Sequence, residues 1–335
     1  MSLEQTVKEI LSDSKGILAA DESTGTIGKR FAKNNIESTP ATRQQYREML
    51  FSTKGIEQYI SAVILFDETI RQKNSSGIPL IDLLSDKGII PGIKVDKGTT
   101  PLPNYQNEKI TNGLDGLEQR LLEYRQMGAK FAKWRAVFSI GPSMPSELCI
   151  DANAEVLARY AALCQQADIV PIVEPEVLMD GDHTINKCEE VTTHVLQSVF
   201  YHLHRHRVIL ETTLLKPNMV LAGKDSSAQG TSSQVAQATI RTLRRSVPAA
   251  IPAVAFLSGG QSPTEATRNL AAINDTGIQP WKLIFSFSRA LQDMALQSWA
   301  GKEENVSEAQ KVFLHRARCN SAACRGEFID QARPQ

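Results

Sequence analysis

The chain has no net charge, no apolar run long enough to span a membrane, no Cys-x-x-Cys pair and no Gly-x-Gly-x-x-Gly. Each absence excludes something. With 37 Lys+Arg against 37 Asp+Glu, no overall field attracts nucleic acid or an anionic membrane surface, so any basic cluster has to be justified by its own site. A membrane helix needs about 20 apolar residues in succession. Five cysteines, an odd number without metal or redox spacing, read as the reduced thiols of a cytoplasmic protein. The sequons at Asn74 and Asn305 then carry no glycan. Acidic residues interrupt the N-terminal MSLEQTVKEILSDSKG too often for a signal peptide, while Leu3, Val7, Ile10 and Leu11 fall on one face of a helix.

What is present is an alternation of short apolar runs and amphipathic stretches of helical length. The runs are GILAAD (16–21), AVILFDE (62–68), IIPGIKVD (89–96), FAKWRAVFSI (131–140), IVPIVEPE (169–176), VILETTLLK (208–216), AVAFLSGG (253–260) and KLIFSFS (282–288). Helices are expected over 42–50, 116–128, 152–167, 184–204, 232–246 and 264–274. Runs this apolar, separated by helices, are parallel strands covered on both faces. Eight strand–helix units predict a closed (β/α)8 TIM barrel. No linker composition divides the chain, so one domain is expected over 1–335. The barrel spans about 16–300, preceded by an extra N-terminal helix and followed by a C-terminal helix and short tail over 301–335.

In such a barrel the chemistry collects where strands end and βα loops begin. Asp21, Lys94 and Asp96, Lys133 and Arg135, Glu174 and Glu176, Lys216, Ser258-Gly259-Gly260, and Ser286, Ser288 and Arg289 all fall at such ends. Residues two apart on a strand share a face. Lys94/Asp96, Lys133/Arg135 and Glu174/Glu176 therefore face the barrel axis, and Ala132, Trp134 and Ala136 face the helices. Cations and carboxylates converging on one mouth are costly to desolvate unless they pair or bind something. A mouth with both signs of charge fits acid/base chemistry on an anionic substrate.

The segments AADESTGTIGKR (19–30), GIKVDKG (92–98), FAKWR (131–135), PIVEPE (171–176), LLKPNM (214–219) and FLSGGQS (256–262) closely resemble the motifs of class I fructose-bisphosphate aldolase. They occur in the family's order and cover about residues 10–325. The resemblance implies that Lys216 forms a Schiff base with the C2 ketone of fructose 1,6-bisphosphate, with no metal or other cofactor. An amine attacks only when neutral, so Lys216 needs burial and cationic neighbours, for which Lys133 and Arg135 are the candidates. By the same resemblance Glu174 is the main acid/base residue, Asp21 serves the C4 hydroxyl and Lys133 assists carbinolamine formation and dehydration. Glu176 and Arg135 complete the charge network. Carboxylates among lysines can have their pKa values pushed apart into separate acid and base roles.

Ser258, Gly259, Gly260, Ser286 and Arg289 match the 1-phosphate end, where glycine N–H groups approach an anion without a Cβ in the way. Ser23, Thr26, Arg30 and Lys94 match the other phosphate end. Thr26 stands where the family usually has serine and Ser288 where it usually has glycine. The last tyrosine is Tyr201 and the chain stops at ARPQ, without the terminal tyrosine of the family's longer members. The later proton-transfer step is therefore expected to depend less on a tail. The resemblance also implies small sugar phosphates as partners and a cytoplasmic homotetramer, with no nucleic acid and no membrane. His202 and His206 in HLHRH are a chelating spacing, but they precede strand six at the barrel's amino end and read as a solvated helix end. DGDH (180–183) reads as a loop and helix cap. Rival readings are another Schiff-base aldolase or a transaldolase, a preference for fructose 1-phosphate, and a non-catalytic binding protein on the same fold.

Overall fold

The computed structural model describes residues 2–329; residues 330–335, the end of the expected tail, lie outside the described residues. Among the described residues ten strands form: β1 (Gly16–Ala20), β2 (Ile60–Leu65), β3 (Ile90–Lys94), β4 (Thr99–Pro101), β5 (Lys109–Thr111), β6 (Phe131–Phe138), β7 (Val170–Val177), β8 (Leu214–Leu215), β9 (Ala253–Phe256) and β10 (Lys282–Phe287). Eight of them close a parallel barrel in the order β1-β10-β9-β8-β7-β6-β3-β2. The other two, β4 and β5, pair antiparallel in the loop after β3.

Both faces of the barrel strands are buried, which is why they read as continuous apolar runs. The inner face carries Ile17, Ala19, Ile64, Ile90, Phe131, Ile172, Leu214, Ala255 and Ile284. The N-terminal helix Leu3–Ile10, capped by Ser2 accepting from the Gln5 N–H, sends Val7 and Ile10 into the same core, with Leu11 beside them. That helix seals the amino end and leaves the carboxyl end as the mouth. Gly92 has a steric role here: a Cβ on it would stand 2.4 Å from the Phe131 ring, which lies across the space a side chain would fill.

The outer face packs on the helices. Trp134 lies against Tyr160 of the helix Glu147–Gln166 with ring centroids 5.5 Å apart, and the Tyr160 hydroxyl donates to the Ala132 carbonyl at 2.7 Å. Ala132, Trp134 and Ala136 thus face the helices as their alternation predicts. The expected helices form as Pro40–Ser52, Leu117–Gln126, Glu147–Gln166, Ile185–Arg205, Ser232–Ser246 and Pro263–Asn274, and Val306–Ala323 follows the barrel. Thr39, Thr231 and Ser262 close capping boxes, so these starts are fixed by side chains that take up otherwise unpaired N–H groups.

Most strand boundaries differ from the sequence reading by a residue or more, and two of the apolar runs turn helical part-way. The run 208–216 is strand only at Leu214–Leu215; Leu210–Thr212 is a 3₁₀ turn. Gln165 holds that turn by accepting from the Ile209 N–H at 3.0 Å and donating to its carbonyl at 2.7 Å. The run 62–68 leaves the strand at Leu65, and Asp67–Arg71 turns helical.

Candidate active site

The eight barrel strands end at one rim, and most of the expected polar residues meet there. Lys133 of β6 places Nζ 2.8 Å from Asp21 Oδ2 and 2.8 Å from Glu174 Oε2. The other oxygen of Glu174 lies 3.0 Å from Lys216 Nζ, so one carboxylate bridges two lysines. Asp21 follows β1 directly, Glu174 lies within β7, and Lys216 follows β8. All four residues are buried. Across β6 and β7, Arg135 sits opposite Glu174 in register and its Nε donates to Glu176. Lys94, opposite Lys133 in register, pairs with Asp96 at 2.7 Å.

The backbone around Lys216 shows how so short a strand holds a reactive side chain. The Lys216 N–H donates to the Val173 carbonyl at 2.8 Å, and the Pro217 carbonyl accepts from the Leu257 N–H at 3.1 Å. Pro217 has no N–H and ends the ladder. Beyond it the Asn218 side chain substitutes for backbone, its Oδ1 accepting from the Val177 N–H at 2.9 Å and its Nδ2 donating to Thr192 Oγ1 at 3.2 Å.

Electrostatics favour the ionised forms of Asp21, Glu174 and Lys133. Burial pushes the Asp21 carboxyl up, but Lys133, Lys216 and Lys94 outweigh it and draw the pKa down to about 2. Burial acts on Glu174 in the same way and is outweighed by Lys133, Lys216 and Arg135, leaving it below the usual carboxylate range. For Lys133, burial opposes the charge, yet Asp21 and Glu174 hold the ammonium well above an ordinary lysine. The expected splitting of the carboxylates into one high and one low pKa is therefore not found. Both go down, because Lys133 lies between them. Lys216 has Glu174 as its ion-pair partner; of the expected cationic neighbours, Lys133 shares that carboxylate and also meets Asp21, while Arg135 pairs with Glu176.

At one side of the rim, Ser258 and Ser286 are buried, and the Ser286 hydroxyl has no hydrogen-bond partner among the described residues. Gly259 adopts φ 56°, a conformation that favours glycine, and Arg289, exposed at the start of the helix Arg289–Trp299, donates to the Gly259 carbonyl. An orphaned buried hydroxyl beside a glycine turn and a guanidinium is a fitting cradle for a phosphate. At the other side Ser23 caps the helix Thr24–Ala32 and contacts Thr26 Oγ1 at 3.0 Å. Ser23, Lys94 and Asp96 line a cavity of about 580 Å³.

The family model for class-I fructose-bisphosphate aldolase, described as glycolytic, matches residues 2–335. The chain belongs to the class-I fructose-bisphosphate aldolase family. It is 56% identical over 319 residues to the cytosolic fructose-bisphosphate aldolase 4 of Arabidopsis thaliana, covering 95% of this chain and 81% of that protein. It is 52% identical over 328 residues to the fructose-bisphosphate aldolase of Plasmodium falciparum, covering 97% and 89%. The co-crystal structure of the Plasmodium falciparum aldolase with TRAP and a small-molecule inhibitor superposes with a TM-score of 0.97 at 51% identity, covering 98% of this chain and 95% of that one.

Against the family pattern, the departure at Ser288 proves structural. Its hydroxyl donates to Glu22 Oε1 at 2.6 Å and accepts from Arg30 Nη1 at 3.2 Å and Gln292 Nε2 at 3.1 Å. Arg30, expected at a phosphate, is thereby held by Glu22 and by Asp293, the latter at 2.6 Å. Sequence reasoning missed Glu22, which also pairs with Arg47 at 2.5 Å. The available signal was a carboxylate beside Asp21 whose side chain must point away from the barrel axis and so find partners among the helices.

His202 is not a solvated helix end. It is buried, with Nε2 2.7 Å from Asp151 and Nδ1 3.0 Å from Glu155, and His206 Nε2 also lies 3.0 Å from Glu155. The helix Glu147–Gln166 covers the pair and supplies both carboxylates. DGDH is a loop that leads to Thr184, the cap of Ile185–Arg205, as expected. Among the described residues no group of three or more His, Cys, Asp and Glu is arranged to hold a metal ion, and no helix is long and apolar enough to cross a membrane.

Proposed function

We propose that this protein reversibly cleaves fructose 1,6-bisphosphate to dihydroxyacetone phosphate and glyceraldehyde 3-phosphate, in glycolysis and gluconeogenesis, through an imine on Lys216. The observation that carries the reading is the Glu174 carboxylate bridging Lys216 at 3.0 Å and Lys133 at 2.8 Å. Glu174 takes a proton from the Lys216 ammonium, the freed amine attacks C2, and a second proton passes from the nitrogen to the C2 oxygen to give the carbinolamine. The protonated Glu174 then donates to the departing C2 hydroxyl, which leaves as water. Lys133 steadies the oxygen that forms on C2.

Once the iminium exists, Asp21, ionised at neutral pH with a pKa of about 2, takes the C4 hydroxyl proton. The O–H electrons become the aldehyde C=O, the C3–C4 bond breaks, and its electrons pass into the enamine with the iminium nitrogen as sink. Protonation at C3 and hydrolysis release the second product and restore Lys216. Arg135 and Glu176 fix each other's orientation beside this centre. Ser258, Gly259, Gly260, Ser286 and Arg289 bind the 1-phosphate; Ser23, Thr26, Arg30 and Lys94 serve the other end.

We further propose that residues 1–335 act as one domain, without metal or other cofactor, in a cytoplasmic homotetramer. A second reading, preference for fructose 1-phosphate, is favoured by one observation: Arg30 is committed to Glu22, Asp293 and Ser288. Coupled assays with both sugars decide. The first reading expects kcat/KM at least about tenfold higher for the bisphosphate, unaffected by EDTA. Equal or inverted values support the second, and activity lost to EDTA contradicts both.

A further inference from the structure

We propose that Met179 is a built-in occupant of the phosphate-binding turn and sets how tightly that end of the site takes an anion. The inference rests on the reading of Ser258-Gly259-Gly260 as a phosphate cradle. In the structure the Gly260 N–H donates to Met179 Sδ at 3.1 Å. A Cβ at position 260 would lie 2.6 Å from that sulfur and 3.1 Å from Met179 Cγ. The space that glycine leaves open for an anion is therefore filled by the thioether.

Met179 lies three residues beyond Glu176, in the segment leaving β7. Its backbone is pinned: the neighbouring Leu178 N–H donates to the Phe138 carbonyl at 2.9 Å, and the Met179 carbonyl accepts from the Lys224 N–H at 2.7 Å. Only the side chain is left to move, and an unbranched thioether with three rotatable bonds moves readily. Sulfur is a weak acceptor, whereas a phosphate oxygen is a charged one whose hydrogen bonds are about twice as strong as neutral ones. A phosphate thus displaces Met179 and takes over the Gly260 N–H. Each binding event must break the Met179 contact, so the residue weakens anion affinity at this end while keeping the empty turn satisfied.

The test is titration of the full-length protein with inorganic phosphate, following the binding that Arg289→Ala removes. Met179→Ala is expected to tighten that binding about three- to tenfold, the worth of one neutral hydrogen bond; unchanged or weaker binding overturns the proposal. In protein labelled with ¹³C-methyl methionine, the resonance absent from Met179→Leu should shift with the same midpoint as phosphate binding. A resonance that stays fixed at saturation overturns the proposal independently of any effect on folding. If Arg289→Ala removes no phosphate binding at all, the cradle reading itself fails and Met179 with it. If Arg289→Ala weakens binding and both Met179 readouts are silent, only the role of Met179 fails.

Discussion

Replacing Lys133 with methionine keeps most of the side chain's bulk and removes only the charge that two buried carboxylates share. Asp21 and Glu174 each lie 2.8 Å from Nζ, and the three side chains are between 4 and 10% exposed. Removing one partner of a buried ion pair costs about 3–5 kcal/mol, because the remaining charge stays buried without compensation. The Asp21 carboxyl supplies an independent scale. Its pKa of about 2 rather than 3.8 corresponds to roughly 2 kcal/mol.

The sign follows from the direction of that change. A folded pKa below the unfolded one gives the wild type stability that is complete above about pH 4 and is lost as pH falls through about 2. In Lys133→Met the main opposing cation is gone and burial dominates, so the carboxyls become easier to protonate in the folded state. The deficit relative to wild type should then be largest at neutral pH, about 3–5 kcal/mol, and should shrink as pH falls toward about 3.5. Urea unfolding at both pH values measures it. A deficit below about 1 kcal/mol at pH 7, or one that does not change with pH, would refute the claim that Lys133 holds two buried carboxylates ionised.

Two further outcomes follow from the same geometry. Glu174→Gln removes the proton carrier between Lys216 and the C2 oxygen, so kcat should fall about 10²–10⁴-fold with little change in KM; steady-state kinetics giving a comparable rise in KM would point to substrate binding instead. Gly92→Val forces a side chain against the Phe131 ring, 2.4 Å from the position a Cβ would take, and should cost about 1–3 kcal/mol. An unchanged urea midpoint would mean that the ring has room to move.

The barrel was legible because its strands are buried on both faces and its helices carry caps, so pattern and packing agree. Where pattern and packing diverge, the reading slipped. The apolar run 208–216 looks like a full strand, yet Gln165, more than forty residues away in sequence, ties its start into a turn and Pro217 ends its ladder. The hairpin of β4 and β5 went unseen because β4 is wholly exposed and contains a proline. His202 was misplaced for the same kind of reason: its burial comes from Asp151 and Glu155 on another helix.

At the site, alternation along β6 and β7 placed Lys133, Arg135, Glu174 and Glu176 correctly. What alternation could not convey is who pairs with whom across strands. The pKa values of Asp21 and Glu174 move together because one lysine contacts both, and Arg30 is engaged by Glu22 and Asp293 because Ser288 joins the same cluster. These are distances between elements far apart in sequence, and only the folded chain supplies them.

The central claim is that Lys216, served by Glu174, forms the covalent bond to substrate. Incubating the protein with dihydroxyacetone phosphate, reducing with borohydride and mapping the adduct by peptide mass spectrometry tests it directly. The account predicts one reduced adduct on Lys216, absent from Lys216→Met; an adduct on Lys133 instead, or none at all, would contradict it.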